Sequence, residues 1–189
     1  MPLHYFKDKS WKQITREERF FCAVLYFKIE NRPKEFVEWL IKQKHCKLPI
    51  DLTNSTWEVG YEVCLYRDWV KEYGWQGENS INKTDFRALK KRTFDLCFFS
   101  EGNIILIEAK ANCGYDRTQL PIFEKEKEQV AKLFGKEEDE IFLVSIHSSK
   151  YNPKESTKKV FSGYIHWNDL ISTEFHDDTF KRANECYRD

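Results

Sequence analysis

The stretch Thr93-Phe94-Asp95-Leu96-Cys97-Phe98-Phe99-Ser100-Glu101-Gly102-Asn103-Ile104-Ile105-Leu106-Ile107-Glu108-Ala109-Lys110 decides how this chain is read. Two runs of β-branched and aromatic residues flank Ser-Glu-Gly-Asn, the pattern of two antiparallel strands joined by a tight turn. With Glu101 and Gly102 at the turn, Ser100 faces Asn103, Phe99 faces Ile104, Cys97 faces Leu106 and Asp95 faces Glu108. Directly opposed side chains share a face with Cβ atoms about 4.5–5.5 Å apart. Lys110, two residues past Glu108, projects to that same face. Opposed carboxylates repel, and Asp and Glu are depleted in strands. Strand ends that merely reach solvent would more naturally set Lys against Glu, so the expectation is a divalent cation between the two acids.

Working outward, residues 1–49 read as a helical arm packed on the core. Thr15-Arg16-Glu17-Glu18 has the form of a capping box, after which Phe20, Phe21, Val24, Leu25 and Ile29 recur at helical spacing. That capping role accounts for Glu18. Pro33 opens a second helix through Phe36, Val37, Leu40 and Ile41. Residues 55–73 read as a largely buried helix, with Glu58, Glu62, Leu65 and Trp69 on one stripe. A glutamate on such a face needs a partner or a metal. For Glu58 the expectation is an ion pair, and for Glu62 a functional role. A first strand is weakly signalled at 86–89. Beyond the hairpin, a helix is expected from about Thr118 to Phe134, with Gln119, Phe123, Lys127, Val130 and Phe134 on one stripe and Gly135 as its stop. Strands follow at 140–146 and 161–167, with Asn168 as the cap of a C-terminal helix. The order implies a mixed α/β sheet, and residues 50–189 carry the core and tail of a single domain.

The bulk composition narrows the class. At 189 residues, 41% apolar and 33% charged, the chain is long enough to bury a full core and is not of disordered type. Lys+Arg and Asp+Glu are both 31, which argues against a protein that coats nucleic acid nonspecifically and leaves room for a local basic cleft. Lys90-Lys91-Arg92 is such a concentration, although an ordinary solvated segment explains it better. No secretory signal and no run of the ~20 apolar residues that span a bilayer is seen. The six cysteines lack Cys-x-x-Cys spacing, and buried free thiols in a reducing cytoplasm are expected. The histidines show no metal-ligand spacing.

Asp95, Glu108 and Lys110 are the parts of metal-assisted phosphodiester hydrolysis. Carboxylates hold a hard cation, which activates water and stabilises phosphoryl charge. A neighbouring lysine orients or deprotonates that water. The Ala109 carbonyl can complete the shell, and Glu62 would extend the site.

These residues resemble the signature of the PD-(D/E)xK nuclease superfamily, the restriction-endonuclease-like fold. Phe94-Asp95 stands at the start of one strand and Glu108-Ala109-Lys110 at the end of the next, with twelve residues between the acids. The resemblance covers about half the chain. It implies a core of helix, three-stranded antiparallel meander, helix and strand, with the order of residues 55–147. It assigns the acidic residue of the preceding helix to Glu62 before Glu58. Gln119, in Gln119-Leu120-Pro121-Ile122-Phe123, looks like the glutamine that positions the site or the nucleic-acid backbone; a first-turn polar residue explains it equally well. Phe94 replaces the nominal proline, as in many members.

The implied protein is a Mg²⁺-dependent deoxyribonuclease of defence or repair, with Mn²⁺ as a substitute. Asp95 and Glu108 are its metal ligands with Ala109 and Glu62, Lys110 is its catalytic lysine, and Glu62 and Gln119 support them. Double-stranded DNA is the expected partner, a homodimer is compatible, and no membrane is involved. Two rivals stand beside this reading: a nucleic-acid-binding or interaction module on the same fold without catalysis, and a structure-specific nuclease on branched DNA or RNA.

Overall fold

The computed structural model describes residues 9–80, 86–116 and 118–188. The chain is α/β, with one five-stranded mixed sheet. Short α1 (Trp11–Ile14) leads into α2 (Glu18–Ile29) and α3 (Pro33–Ile41). Strand β1 (Glu58–Val63) and helix α4 (Leu65–Ser80) follow, then the hairpin β2 (Phe94–Phe99) and β3 (Ile104–Ala109). Helix α5 (Leu120–Phe134) crosses to β4 (Ile141–His147), short α6 (Glu155–Val160) to β5 (Gly163–His166), and α7 (Asp178–Glu185) closes the chain. The strands lie in sequence order, β1–β2–β3 as an antiparallel meander and β3–β4–β5 parallel. Among the described residues, no helix is long and apolar enough to cross a membrane.

Two segments depart from the sequence reading. Residues 58–63, expected inside a helix, form β1; Val59, Tyr61 and Val63 are strand formers and Gly60 disfavours a helix, while the Glu58–Glu62–Leu65 spacing only imitates a helical stripe. The helix begins ten residues later than expected, at Leu65. The strand expected at 86–89 is a turn running into a 3₁₀ segment, Leu89–Lys91. Its amides at Ala88 and Leu89 are satisfied by the buried Gln129 side chain (3.1 and 3.2 Å) rather than by a neighbouring strand. The meander is therefore β1–β2–β3, with α4 inserted between its first two strands. Asn168 does not cap the C-terminal helix: it lies in a 3₁₀ turn, and α7 is capped by Asp177, which accepts from Thr179 N–H (3.0 Å).

The sheet separates two hydrophobic clusters. One face packs against α2, α3 and α7, joining Phe21, Leu25, Phe36 and Trp167 to Phe98, Ile105, Ile107, Val144 and Ile146. Phe36 stacks on Phe98 at 5.4 Å and Trp167 on Phe180 at 5.8 Å. The N-terminal helices are thus part of this core. The other face packs Cys97, Leu106 and Leu143 under Phe123, Val130 and Leu133 of α5 and Leu65 of α4. Helix α5 ends at Gly135, whose left-handed φ of 62° suits a residue without Cβ. At the far edge, β5 is flanked by residues 45–47: Lys47 N–H donates to the Ser162 carbonyl (2.9 Å) and Tyr164 N–H to the His45 carbonyl (3.2 Å). A Cβ at Gly163 would lie 2.5 Å from the Cys46 Cα, so only glycine permits this approach.

Candidate active site

The hairpin register is the one its turn dictates. Ser100 N–H donates to the Asn103 carbonyl (2.9 Å), Phe99 pairs with Ile104, Cys97 with Leu106 and Leu96 with Ile107. The paired register ends there, and Asp95 and Glu108 follow next on their two strands. The Asp95 Oδ2 accepts from Ala109 N–H at 2.8 Å. Lys110, at the end of β3, donates from Nζ to Glu108 Oε1 at 3.2 Å. Its backbone is fixed from two sides, with N–H to the Ile146 carbonyl (2.7 Å) and C=O to the Trp167 indole N–H (3.0 Å). Asp95, Glu108 and Lys110 are therefore brought together at one end of the hairpin.

Three residues that the sequence reading did not assign to the site complete it. Glu18, in the first turn of α2, reaches the end of β3, where one oxygen accepts from Ala111 N–H (3.1 Å) and the other lies 3.5 Å from Lys110 Nζ. Its capping role is not realised, because Glu17 occupies the cap position without a side-chain bond. Arg92 donates to Glu108 Oε2 at 2.6 Å and contacts Glu126 at 3.0 Å. Glu126 sits on the buried face of α5 between Phe123 and Val130. Its signal was available: a carboxylate three residues after one core position and four before another must find a cation. Arg92 hid within a basic run that looks solvated.

The electrostatics follow from burial. Loss of solvent, and then the Glu108 charge, push the Asp95 carboxyl up to about 7. Burial also lifts Glu126 to about 7, against the pull of Arg92. Lys110 moves the other way: desolvation disfavours its charge, but the Glu108 and Glu18 carboxylates outweigh it and raise the ammonium above its ordinary value. Tyr115 roofs the cluster, donating to the Glu108 carbonyl (2.8 Å) and exchanging a hydrogen bond with Ser145 Oγ (2.8 Å).

Glu62 and Gln119 are not brought into the cluster. Glu62 would face Asp95 if β1 ran straight, but its left-handed φ of 51° breaks the alternation. Val63 then packs on the α4–α5 side, and Glu62 pairs with Arg19 of α2 at 3.3 Å. Gln119 ends up beside α5's first turn, where its side chain meets Asp116 N–H at 3.4 Å. Glu58 is exposed at the start of β1.

Four carboxyl groups (Glu18, Asp95, Glu108, Glu126) surround two cations (Arg92, Lys110). The donors are hard oxygens, so in charge and ligand type the set fits a divalent ion of the magnesium class. In geometry it is not assembled: among the described residues no three His, Cys, Asp or Glu side chains form a group that could hold a metal, and both Glu108 oxygens are engaged by Arg92 and Lys110. Set against known proteins, the chain matches no family model, no curated protein and no solved structure.

Proposed function

We propose that the chain is a metal-dependent nuclease of the restriction-endonuclease-like type, cleaving DNA phosphodiester bonds. The observation that carries this is the meeting of Asp95, Glu108 and Lys110 with Glu18 at one strand end, where carboxyl groups outnumber cations. Asp95 and Glu108, with the Ala109 carbonyl, would hold the ion, and Glu18 would take the preceding-helix place that the resemblance assigned to Glu62. A Mg²⁺ or Mn²⁺ bound there supplies a water of lowered pKa and a counter-charge for phosphoryl oxygens. Lys110 contributes a positive charge held against Glu108 and Glu18, placed to steady the attacking water and the developing negative charge. Arg92 anchors Glu108 to Glu126 and so fixes the ligand's rotamer.

A second reading draws on the same Arg92. Because both Glu108 oxygens already have cationic partners, the cluster is also what a module that kept the fold and lost catalysis would show. Incubation of the protein with linear, circular and branched DNA and with RNA, in Mg²⁺ or in EDTA, separates the two. The nuclease cuts in Mg²⁺ alone, and Lys110→Ala slows it on the order of 10²–10³-fold. If the wild type cuts nothing across the panel, or Lys110→Ala cuts as fast as wild type, the binding module replaces the enzyme.

A further inference from the structure

Along one side of the molecule, where β5 meets α5 and α6, runs an open groove of about 900 Å³. Lys44, Lys47, Lys127, Lys158 and Lys159 line it against only Asp139 and Glu155. Lys158 is engaged by Glu155 at 2.8 Å, and the other four lysines have no carboxylate partner among the described residues. On a chain whose formal charge sums to zero, a groove with three excess positive charges is a segregated one. Segregation of this kind attracts polyanions locally.

The groove also holds an aromatic platform. The exposed His45 ring stacks on Tyr164 at 4.6 Å with 8° between planes. His147 packs the same tyrosine at 5.2 Å, so the Tyr164 ring is held in place. The sheet register ties this platform to the carboxylate cluster. Glu108 pairs with Ser145 and Ser145 with Tyr164, which sets Glu108, Ser145 and Tyr164 in one row on one face. Tyr164 is two strand spacings, about 10 Å, from Glu108.

We propose that this groove binds single-stranded nucleic acid, its lysines holding phosphates and the His45–Tyr164 pair stacking an unpaired base. Basic grooves with aromatic faces take single strands because every base offers a π-face, whereas a duplex hides its faces in the stack. The platform lies two strands from Glu108, with the buried Ser145 between them. The inference rests on the nuclease reading only for the claim that the bound strand is the substrate; the binding itself stands on the groove.

The test is fluorescence anisotropy of a labelled oligothymidine in EDTA, where no metal-dependent cleavage competes, from 50 to 200 mM salt. Wild type binds, and Lys47→Ala/Lys159→Ala lowers the slope of log affinity against log salt by about 1.4, the share of two single-strand phosphate contacts. His45→Ala weakens binding roughly 5- to 150-fold, the span of one lost base–aromatic stack, and His45→Phe restores it. Lys34→Ala, an exposed lysine of α3 outside the groove, leaves it unchanged. Tighter binding of a duplex of equal length, equal competition by polyglutamate, or saturation by thymidine monophosphate at the same site would each overturn the proposal. So would groove variants that bind like wild type. Failure of the nuclease reading looks different: the strand is bound as described and no form of nucleic acid is cut in Mg²⁺.

Discussion

The two faces of the sheet are built from the same strands and differ in what they must balance. On the α2–α3–α7 face, Phe98, Ile105, Ile107, Val144, Ile146 and Ile165 are all 1% exposed or less, and no polar side chain from the strands interrupts them. The opposite face is apolar through Cys97, Leu106 and Leu143 and then turns to Glu108, Ser145 and Tyr164 in a single row, with Asp95 close by at the strand end. Apolar burial is non-directional and is satisfied by density alone. Buried carboxylates are satisfied only by named partners, and here those come from Arg92, Lys110 and backbone amides. One face therefore tolerates exchange of like for like, while the other depends on particular atoms from α2, α5 and the β3 end.

The contrast can be broken most forcefully from the apolar side. Phe98→Ala should cost about 3–5 kcal/mol in urea unfolding, with no dependence on pH, because it removes a fully buried ring stacked on Phe36. Arg92→Ala attacks the other face and should cost about 3 kcal/mol at pH 8, since it leaves Glu108 and Glu126 buried without their shared cation. That loss should shrink toward pH 5, because Glu126 takes up a proton near pH 7. A loss equal at both pH values would mean that Arg92 acts by packing alone.

Asp95→Asn should reverse the usual sign. The Asp95 carboxyl is raised to about 7 in the fold and sits near 4 in the unfolded chain, so the folded state holds the extra proton between those values. Stability from this group is therefore full below about pH 4 and lost as pH rises through 7. In EDTA the variant should exceed wild type by on the order of 1 kcal/mol at pH 8, with no gain at pH 4. His147, lowered to about 4 by burial, works in the opposite direction between about 4 and 6.5 in both proteins and cancels from the comparison. Destabilisation at pH 8 would show that the Asp95 charge is already compensated. Smallest of all, Ser145→Ala should cost about 0.5–1 kcal/mol in the same melts, because Tyr115 keeps its bond to the Glu108 carbonyl.

Residues 93–110 were legible because strand alternation and a four-residue turn fix register without help from the rest of the chain. Helix α5 and β4 were legible through long apolar runs and the Gly135 stop. Glu18 was not, since its partner at Ala111 is 93 residues away and its local neighbours offered a sufficient capping explanation. Glu62 failed for a related reason: the spacing that put it on a helix was real, but a single left-handed residue at the end of β1 decides where its carboxylate goes. Glu126 carried a readable signal that was missed, because the stripe was drawn through Lys127 and Phe134. Phe134 is 40% exposed, and the buried face runs one residue away, through Glu126 and Leu133.

The bond from the Trp167 indole to the Lys110 carbonyl spans 57 positions of sequence and carries a consequence for the order of assembly. Contacts between distant segments form late, because the intervening loop must first be closed. A chain emerging from the ribosome presents Glu18, Asp95 and Glu108 well before Trp167, which lies in the last quarter of the sequence. Until that indole docks, the strand end bearing Lys110 lacks one of its two backbone anchors. The finished cluster therefore depends on the last quarter of the chain, and a growing polypeptide presents this strand end with one anchor missing.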